Sequence, residues 1–273
     1  MALRRLRRSA GELGRYATYR TVRRVTDFEL LDGAITVIGV YRRRNVRYVR
    51  PLVEAALAAG WSTAWWALDE VSDALATHTV GCGPGEKLPL LNEIIERANV
   101  AEGWIVVADD DIVFARGSVV ELVGVCARAG FALAQPALAA GGTFSHEITL
   151  SRTLSIARKT TFVEVGPLVV IAPWCRQRVL PFPAWRGMGW GVEFEWHELL
   201  EHGFSFGIVD VISVVHLGRI GDFYDSDRLK SAMKRELASR GTTWRELQQT
   251  IATWRPWRMR PPWNTEPPQS DLT

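Results

Sequence analysis

Three consecutive aspartates, Asp109, Asp110 and Asp111, are the residues of this sequence best suited to chemistry. They directly follow Trp104–Ala108, an apolar run typical of a buried β-strand. Adjacent carboxylates create a strong negative field, and hard divalent cations such as Mn²⁺ or Mg²⁺ take carboxylate oxygens as ligands. The spacing therefore predicts a D-x-D metal site on Asp109 and Asp111. The alternative is an exposed acidic turn without a ligand.

An apolar strand followed by D-x-D-x-V is also similar to the nucleophile motif of haloacid-dehalogenase-like phosphatases. In that interpretation Asp109 is the nucleophile, and Gly221, Asp222 and Asp227 resemble the downstream acidic motif of the superfamily. That nucleophile normally ends the first strand of the fold, whereas several strand–helix units come first in this chain. This difference counts against the phosphatase, which is kept only as an alternative.

A glycine-rich turn at residues 81–87 precedes a helix expected at Lys87–Val100. The turn matches neither GxxxxGK[ST] nor GxGxxG. Lys87 is still predicted to face a diphosphate, with Asn92 further along the helix, and a plain connecting turn is the alternative. Asp69 follows the strand expected at Trp61–Leu68, where it would bind a ribose or base edge or else cap a helix.

A second candidate motif is Gly189–Trp196, with the sequence GWGVEFEW. Its glycines allow the backbone to approach a ligand, and Trp190 offers a flat apolar face to a sugar ring. Glu193 and Glu195 are candidates for a general base that deprotonates a hydroxyl group. Residues two apart on a helix point about 200° apart, so only one of them faces the site, and Glu193 is preferred. The alternative is an ordinary charged helix N-terminus.

The apolar segment Phe206–His216 ends in a histidine. An imidazole at the end of a buried strand is suited to bind the same cation as Asp109 and Asp111. A structural role for His216 is the alternative. The next residues, Leu217–Asp227, predict a mobile loop that closes over the ligand, with Arg219 inside it.

Strand and helix patterns alternate in the first half of the chain, which indicates a parallel, doubly wound sheet with ligands beyond the carboxyl ends of its strands. The strands expected there are Ala34–Val40, Trp61–Leu68, Thr77–Val80, Trp104–Ala108 and Phe131–Ala134, and the helices are Asn45–Ala59, Lys87–Val100 and Val119–Arg128. The second half predicts strands at Thr161–Val165, Leu168–Ala172, Ser205–Val209 and Ile212–His216, and a helix at Val192–His202. After Thr253, abundant Pro, Arg and Trp predict a loosely held tail.

Length and composition favour one large α/β domain in 273 residues. A net charge of only +3 does not indicate a nucleic-acid partner. Three widely spaced cysteines exclude a disulfide framework or CxxC zinc site and favour a reducing cytosol. The sequence contains neither an apolar run of the ~20 residues that span a bilayer nor a secretory h-region.

Residues 1–25 carry eight arginines and one acid, Glu12. On a helix one face would carry Leu3, Leu6, Ala10, Leu13 and Ala17. This arm is interpreted either as a helix lying on an anionic membrane surface or as a solvated basic extension that packs one stripe on the domain.

Taken together, the D-x-D, the GWGxE stretch and the late histidine resemble the GT-A glycosyltransferases. GWGxE is similar to the GWGxED of the β-1,4-galactosyltransferase group. The resemblance implies that Asp111 and His216 are metal ligands and that Asp109 lies near the ribose or the metal. The position of that group's second acid is Phe194 here, which leaves the base assignment open between Glu193 and Glu195.

A closer likeness is to an uncharacterised family, well represented in plants, of GT-A-like glycosyltransferases. It covers about residues 104–220 and implies a sugar or acceptor pocket that includes His146 and Glu164; a buried structural role is the alternative for both. The motifs that carry the likeness are Gln135–Leu138, Ser145–Thr149, Phe162–Glu164, Gly189–Gly191, Gly207–Asp210 and Val215–His216.

The sequence thus predicts a single α/β GT-A domain, with a Rossmann-like nucleotide-binding half and a mixed sheet, at residues 30–225. It lies between a basic arm at 1–29 and a C-terminal helix and tail at 226–273. The expected activity is metal-dependent, inverting, hexosyltransferase-like transfer from a nucleotide-diphosphate sugar to a hydroxyl group. The expected location is the cytoplasm, with possible peripheral contact to anionic membrane. Alternatives are the phosphatase and a non-catalytic carbohydrate- or nucleotide-binding protein.

The predicted nucleotide-sugar-binding residues are Tyr41, Asp69, Lys87, Asn92, Asp110 and Arg219. The predicted sugar- and acceptor-binding residues are His146, Glu164, Trp190 and Gly191.

Overall fold

The computed structural model describes residues 11, 13–21, 33–218 and 226–268. The strands are β1 (Ile35–Tyr41), β2 (Ser62–Ala67), β3 (Thr79–Cys82), β4 (Trp104–Ala108), β5 (Ile112–Arg116), β6 (Leu133–Leu138), β7 (Ala157–Thr160), β8 (Leu168–Ile171), β9 (Phe206–His216) and β10 (Thr250–Trp254). The helices are α1 (13–21), α2 (Val46–Ala58), α3 (Lys87–Arg97), α4 (Val119–Ala129), α5 (Arg176–Val179), α6 (Val192–Glu198), α7 (Ser226–Ser239) and α8 (Trp244–Leu247).

These strands form one mixed sheet in the order β10-β7-β9-β6-β8-β4-β1-β2-β3, and β5 pairs with β9. Strands β3, β2, β1 and β4 run parallel, as the strand–helix alternation predicts. β8 is antiparallel to both β4 and β6, and β6 is parallel to β9. Consequently β1, β2, β4, β6 and β9 all end at the same edge of the sheet. The predicted α/β fold with a mixed sheet is confirmed by this strand order.

Two apolar layers cover the two faces of the sheet. Alternate residues of a strand point to opposite faces, so Val37 packs beneath α2 and α4 while Ile38 packs beneath α3 and α6. Ser118 caps the N-terminus of helix α4, and its hydroxyl accepts a hydrogen bond from Glu121 N at 3.2 Å. Gly130, in the left-handed region, caps the C-terminus of the helix. Burial of both faces explains why the strands are apolar runs rather than alternating patterns.

Several expected elements differ from the structure. The strand expected at Thr161–Val165 is wrong, because its backbone groups bond elsewhere: Thr161 N donates to Gln249 O and Glu164 N to the Gln135 side chain. The strands expected at Ser205–Val209 and Ile212–His216 are one continuous strand, β9. Strands β5, β7 and β10 were not predicted.

The loosely held tail expected after Thr253 is also wrong for the described residues. Strand β10 pairs with β7, and Trp254 is buried. Further along, Trp263 donates its indole N–H to Ala129 O at 2.8 Å and stacks on Phe131. The C-terminal segment therefore extends the sheet and covers part of its core.

Helix α1 is the described part of the basic N-terminal arm. Thr18 is buried against the domain, whereas Leu13 is 71% exposed and Ala17 is exposed. The remaining apolar residues of the predicted stripe, Leu3, Leu6 and Ala10, lie outside the described residues, as do positions 219–225 of the predicted loop. No helix in the described ranges has both the length and the apolar character needed to cross a membrane.

Candidate active site

A cleft opens at the edge of the sheet where β1, β2, β4, β6 and β9 end. Arg42 follows β1, Leu68 follows β2, Asp109 follows β4, and Leu138 and His216 end β6 and β9. This is the carboxyl edge at which open α/β sheets bind ligands. The remaining lining residues come from β1, α3, the aspartate turn, the segments after β6, β7 and β9, the GWG segment, α6 and α7: Val40, Lys87, Asp110, Asp111, Phe144, Ser145, His146, Glu164, Val165, Gly166, Pro167, Met188, Gly189, Trp190, Glu193, Gly218 and Met233.

Asp109, Asp111 and His216 converge at the centre of the cleft. Each offers a ligand atom, and the three atoms lie within 4.8 Å of one another. The pairing of β5 with β9 places His216 opposite Ile112, the residue after Asp111, and Leu217 N donates to Asp111 O at 2.9 Å. The predicted metal-binding trio is therefore brought together by backbone register.

The three ligand side chains fit a hard divalent cation. Two carboxylates and one imidazole are ligands that Mn²⁺ and Mg²⁺ accept. Asp111 Oδ1 is buried 3.2 Å from His216 Nε2, but no donor is aligned with it in a hydrogen bond. A buried carboxylate oxygen without a donor is costly unless a cation compensates it. A side chain at Gly218 would overlap Asp111 Oδ2, so glycine keeps this side of the cluster open.

Lys87 is a cation that lies beside Asp109. Its Nζ lies 2.5 Å from Asp109 Oδ1 and donates to Val165 O at 3.4 Å, and the side chain is 6% exposed. The glycine-rich turn delivers Lys87 to this position as the first residue of α3. A Cβ at Gly166 would lie 2.9 Å from Asp109 Oδ2 and 3.2 Å from Lys87 Nζ, so glycine permits the close approach.

Asp110 faces away from this cluster toward the end of β1. Its Oδ2 accepts a 2.7 Å hydrogen bond from Arg42 N. Burial raises the pKa of Asp110 to about 6, despite that hydrogen bond. Asp110 therefore links the ends of β1 and β4.

Glu193 and Glu195 have different environments. Glu193 lines the cleft and accepts a 3.0 Å hydrogen bond from Gly191 N, and burial raises its pKa to about 7. Glu195 is bound at 2.6 Å by Arg186, which also pairs with Glu236 of α7. Gly191 has a φ of +87°, and a Cβ there would collide with the Arg186 guanidinium.

His146 and Glu164 form the opposite side of the cleft. Glu164 Oε1 lies 3.8 Å from His146 Nε2. Burial lowers the pKa of His146 to about 4, and its Nδ1 lies 2.6 Å from Gln248 Nε2. Because the amide nitrogen can only donate, Nδ1 accepts and the proton of the neutral ring lies on Nε2. Burial, followed by the neighbouring Glu193 charge, raises the pKa of Glu164 well above its usual value.

Three of the predicted nucleotide-sugar-binding residues do not line the cleft. The Tyr41 hydroxyl lies 2.9 Å from Thr79 Oγ1 and accepts a hydrogen bond from Ser72 N. Asn92 exchanges two 2.8 Å hydrogen bonds with the Phe182 backbone. Asp69 is exposed and accepts hydrogen bonds from Arg43 N and Glu70 N. Arg219 lies outside the described residues.

The structure also places residues at the site that sequence patterns did not indicate. Phe144 and Met233 line the cleft, Gln248 orients His146, and Arg186 holds Glu195. Arg186 lies just before the GMGWG segment, and that proximity was an available signal. Gln248 and Met233 reach the site only through the docking of the C-terminal segment, for which the local sequence carries no signal.

Comparisons with known proteins concern the fold. Solved structures similar to this chain include GalNAc-T7 with UDP, GalNAc and Mn²⁺, at 12% identity and a TM-score of 0.49. They also include S. aureus TarS 1–349 in complex with UDP-GlcNAc, at 9% identity and a TM-score of 0.46. The first alignment covers 76% of this chain and 50% of that chain, and the second covers 79% and 69%. This chain thus spans about half the length of the GalNAc-T7 chain.

No protein-family model and no curated protein sequence matches the chain. The likeness of its motifs to the plant-type family therefore stays a prediction.

Proposed function

We propose that this protein is a metal-dependent glycosyltransferase that moves a sugar from a nucleotide-diphosphate donor to a hydroxyl acceptor. One observation carries the proposal: Asp109, Asp111 and His216 converge in the same cleft as a buried lysine and a half-buried carboxyl group of raised pKa. We assign these groups as a cation site, a phosphate partner and a general base. The proposed transfer uses each of them.

Asp109, Asp111 and His216 would hold Mn²⁺ or Mg²⁺. When bound, the cation neutralises the negative charge that develops on the departing diphosphate. The Lys87 ammonium group, at the N-terminus of α3, supports the same diphosphate from the other side of Asp109. Asp110 positions the aspartate turn through Arg42 N, and it is assigned to positioning rather than to metal binding.

Glu193 is the proposed general base. Its pKa of about 7 makes it a strong proton acceptor that is still partly ionised near neutral pH. The acceptor oxygen bonds to the anomeric carbon while the bond from that carbon to the diphosphate oxygen breaks. The acceptor proton passes to Glu193, and the bonding electron pair leaves with the nucleoside diphosphate. Attack from the face opposite the leaving group makes the transfer inverting.

We further propose that the sugar and acceptor lie between Trp190 and the His146–Glu164 pair. Trp190 offers an aromatic face, and the His146 Nε2–H and Glu164 carboxyl group offer polar contacts to hydroxyl groups. Glu195 is assigned to holding Arg186, since its carboxylate is bound in the Arg186–Glu236 ion pairs. Tyr41, Asn92 and Asp69 are given no role in donor binding.

A thermal-shift panel of nucleoside diphosphates, each with and without Mn²⁺, tests the proposal. A ligand that binds the folded state raises the melting temperature. We expect one nucleotide to stabilise the protein only when Mn²⁺ is present, and mass spectrometry to detect hydrolysis of the matching sugar donor. The proposal fails if no nucleotide shifts the melting temperature in either condition.

Hydrolysis assays, together with this thermal-shift panel, separate the alternatives. A phosphatase would hydrolyse a generic aryl phosphate and lose this activity in Asp109→Asn. The structure gives the phosphatase interpretation little support, because Asp109 follows the fourth strand and Asp227 is 92% exposed on α7. A binding-only protein would show the metal-dependent shift without donor hydrolysis.

We retain the cytoplasm as the proposed location. Cys82, Cys126 and Cys175 are free thiols, and the last two are buried. Such thiols suit a reducing compartment.

A further inference from the structure

Three segments that are remote in sequence lie in contact and carry exposed apolar side chains: residues 13–21, 151–154 and 250–263. We name these segments together the arginine–apolar face. Leu13, Tyr16, Leu154, Trp257 and Met259 are respectively 71%, 54%, 50%, 68% and 79% exposed. Clustered exposed apolar groups mark interaction surfaces more often than single ones do.

Specific contacts connect the three segments. Arg15 Nη1 donates to Ser151 O at 3.3 Å, and a Cβ at Gly14 would lie 2.9 Å from Thr153 Cγ2. On the other side, Arg255 Nη1 donates to Leu154 O at 3.1 Å. The 151–154 segment therefore lies between α1 and the C-terminal segment.

Helix α1 is oriented with its apolar stripe outward. Leu13, Tyr16, Ala17 and Arg20 have the i, i+3, i+4, i+7 spacing of one helix face, and all are exposed. Thr18, on the other side, is buried against the domain. A stripe that served only to pack the arm on the domain would face inward.

The arginine–apolar face is also strongly cationic. Its three segments contain six arginines and no acidic residue. Arg255 lies close enough to Arg152 for their repulsion to contribute, after burial and the Arg158 charge, to lowering the pKa of Arg152. The Arg255 guanidinium lies 5.9 Å from the centre of the Trp257 ring. Arginines beside exposed tryptophan and tyrosine suit a boundary between anionic headgroups and acyl chains.

We propose that the arginine–apolar face docks the protein on an anionic membrane surface. The arginines contact lipid phosphates, while Leu13, Leu154, Trp257 and Met259 insert at the level of the acyl-chain boundary. Nucleic acid would engage the same arginines but would leave Leu13, Leu154 and Met259 in water. The apolar component therefore favours the bilayer. This inference uses none of the cleft residues, so it stands or fails separately from the proposed transfer.

Vesicle flotation of the full chain tests the inference. The vesicles are phosphatidylcholine with and without phosphatidylglycerol, at low and at physiological salt. We expect binding only to the anionic vesicles, weakened by salt. Trp257→Ser/Met259→Ser and, separately, Leu13→Ser/Tyr16→Ser should each reduce partitioning about tenfold, and Arg255→Gln/Arg258→Gln should do likewise.

Matched control variants distinguish binding through this face from nonspecific adsorption to vesicles. Trp185 is 72% exposed beside the GWG segment, and Arg97 lies on α3 on the opposite face of the sheet. Trp185→Ser and Arg97→Gln should leave partitioning unchanged, with circular dichroism confirming that every variant is folded. Equal binding to neutral vesicles overturns the inference, as do equal losses in the control variants. So does binding to a short DNA duplex that the arginine variants weaken and the apolar variants do not.

Discussion

Three adjacent aspartates in this chain bind three different partners. Asp109 contacts Lys87, Asp110 accepts the Arg42 N–H, and Asp111 lies beside His216. Side chains that follow one another at the end of a strand diverge, so a run of identical residues can combine metal binding with backbone anchoring. The two-residue D-x-D spacing identifies the pair that stays on the same side.

Glu193→Gln should reduce donor hydrolysis by about 10²–10⁴-fold, since general-base catalysis contributes that much. Nucleotide affinity, measured by thermal shift, should not change. In the wild type, kcat/KM should fall below about pH 7 as Glu193 is protonated, and the variant should lack this limb. Glu195→Gln is the control, since Glu195 is bound to Arg186. A variant that keeps wild-type turnover excludes Glu193 as the base.

The same carboxyl group affects stability. Its folded-state pKa is raised from 4.5 to about 7, so the folded state binds this proton more tightly than the unfolded state. Stability contributed by protonated Glu193 is therefore present below the unfolded pKa and is lost as pH rises toward 7. Glu193→Gln should melt at a higher temperature than the wild type at pH 8, and the difference should vanish near pH 4. A variant that melts lower at pH 8 contradicts this linkage.

Gln248→Leu should weaken acceptor recognition without affecting the donor. The change removes the 2.6 Å contact to His146 Nδ1 and so frees the ring to change tautomer or rotate. We expect a higher acceptor KM, with the metal-dependent nucleotide shift retained. Gln249→Leu is the neighbouring control, because the Gln249 contacts described are made by its backbone. Identical losses in both variants would indicate general disruption of the segment after α8.

At the scale of elements, β9 does most to assemble the site. Its register with β5 sets His216 opposite Ile112, and its parallel pairing with β6 brings its end to the edge where β4 stops. Because main-chain hydrogen bonds fix that register, the imidazole position does not depend on a flexible loop. The strand is thus both a structural element and the scaffold of the proposed metal site.

His216→Ala should lower Mn²⁺ affinity about tenfold or more, because one of three ligands is lost while β9 keeps its pairing. Isothermal titration with Mn²⁺ measures the change, and the exposed His202 provides the control variant His202→Ala. Unchanged affinity in His216→Ala would remove this residue from the ligand set.

Elements defined by local pattern were predictable, and those that depend on distant partners were not. β4 was predicted with its observed bounds because WIVVA is a continuous apolar run followed by charge. β5 is short and directly follows the aspartate turn, so only its pairing with β9 defines it. β10 lies beside a Pro- and Arg-rich stretch that predicts a tail, and β7 determines its conformation. For the same reason the convergence of Asp109, Asp111 and His216 was predictable from strand ends, whereas the contact of Gln248 with His146 was not.

For the whole molecule, one continuous sheet carries both sides of the cleft. The parallel half supplies the aspartates and Lys87, and the mixed half supplies His216 and the segment of His146 and Glu164. The C-terminal segment completes this unit by adding β10 and by placing Trp254 and Trp263 on the core.

Trp254→Ala should destabilise the protein by about 3–5 kcal/mol, the usual cost of truncating a buried tryptophan. Trp254 is 1% exposed, and its indole donates to Arg258 O at 2.9 Å. Trp257→Ala, at 68% exposure three residues away, should change stability by less than about 0.5 kcal/mol. Urea unfolding measures both. Equal small effects would mean that the C-terminal segment does not belong to the folding unit.

The contact between Lys87 and Asp109 has a consequence for the protein before it meets any metal. The ammonium group compensates one aspartate, so the cluster does not carry its full mutual repulsion. A divalent cation held by Asp109, Asp111 and His216 would compete with this internal counter-ion, and Lys87 would then be available to the phosphates of the proposed donor. Chelation of the metal should therefore abolish donor hydrolysis without unfolding the protein. Restoring the ion should return the activity without a refolding step.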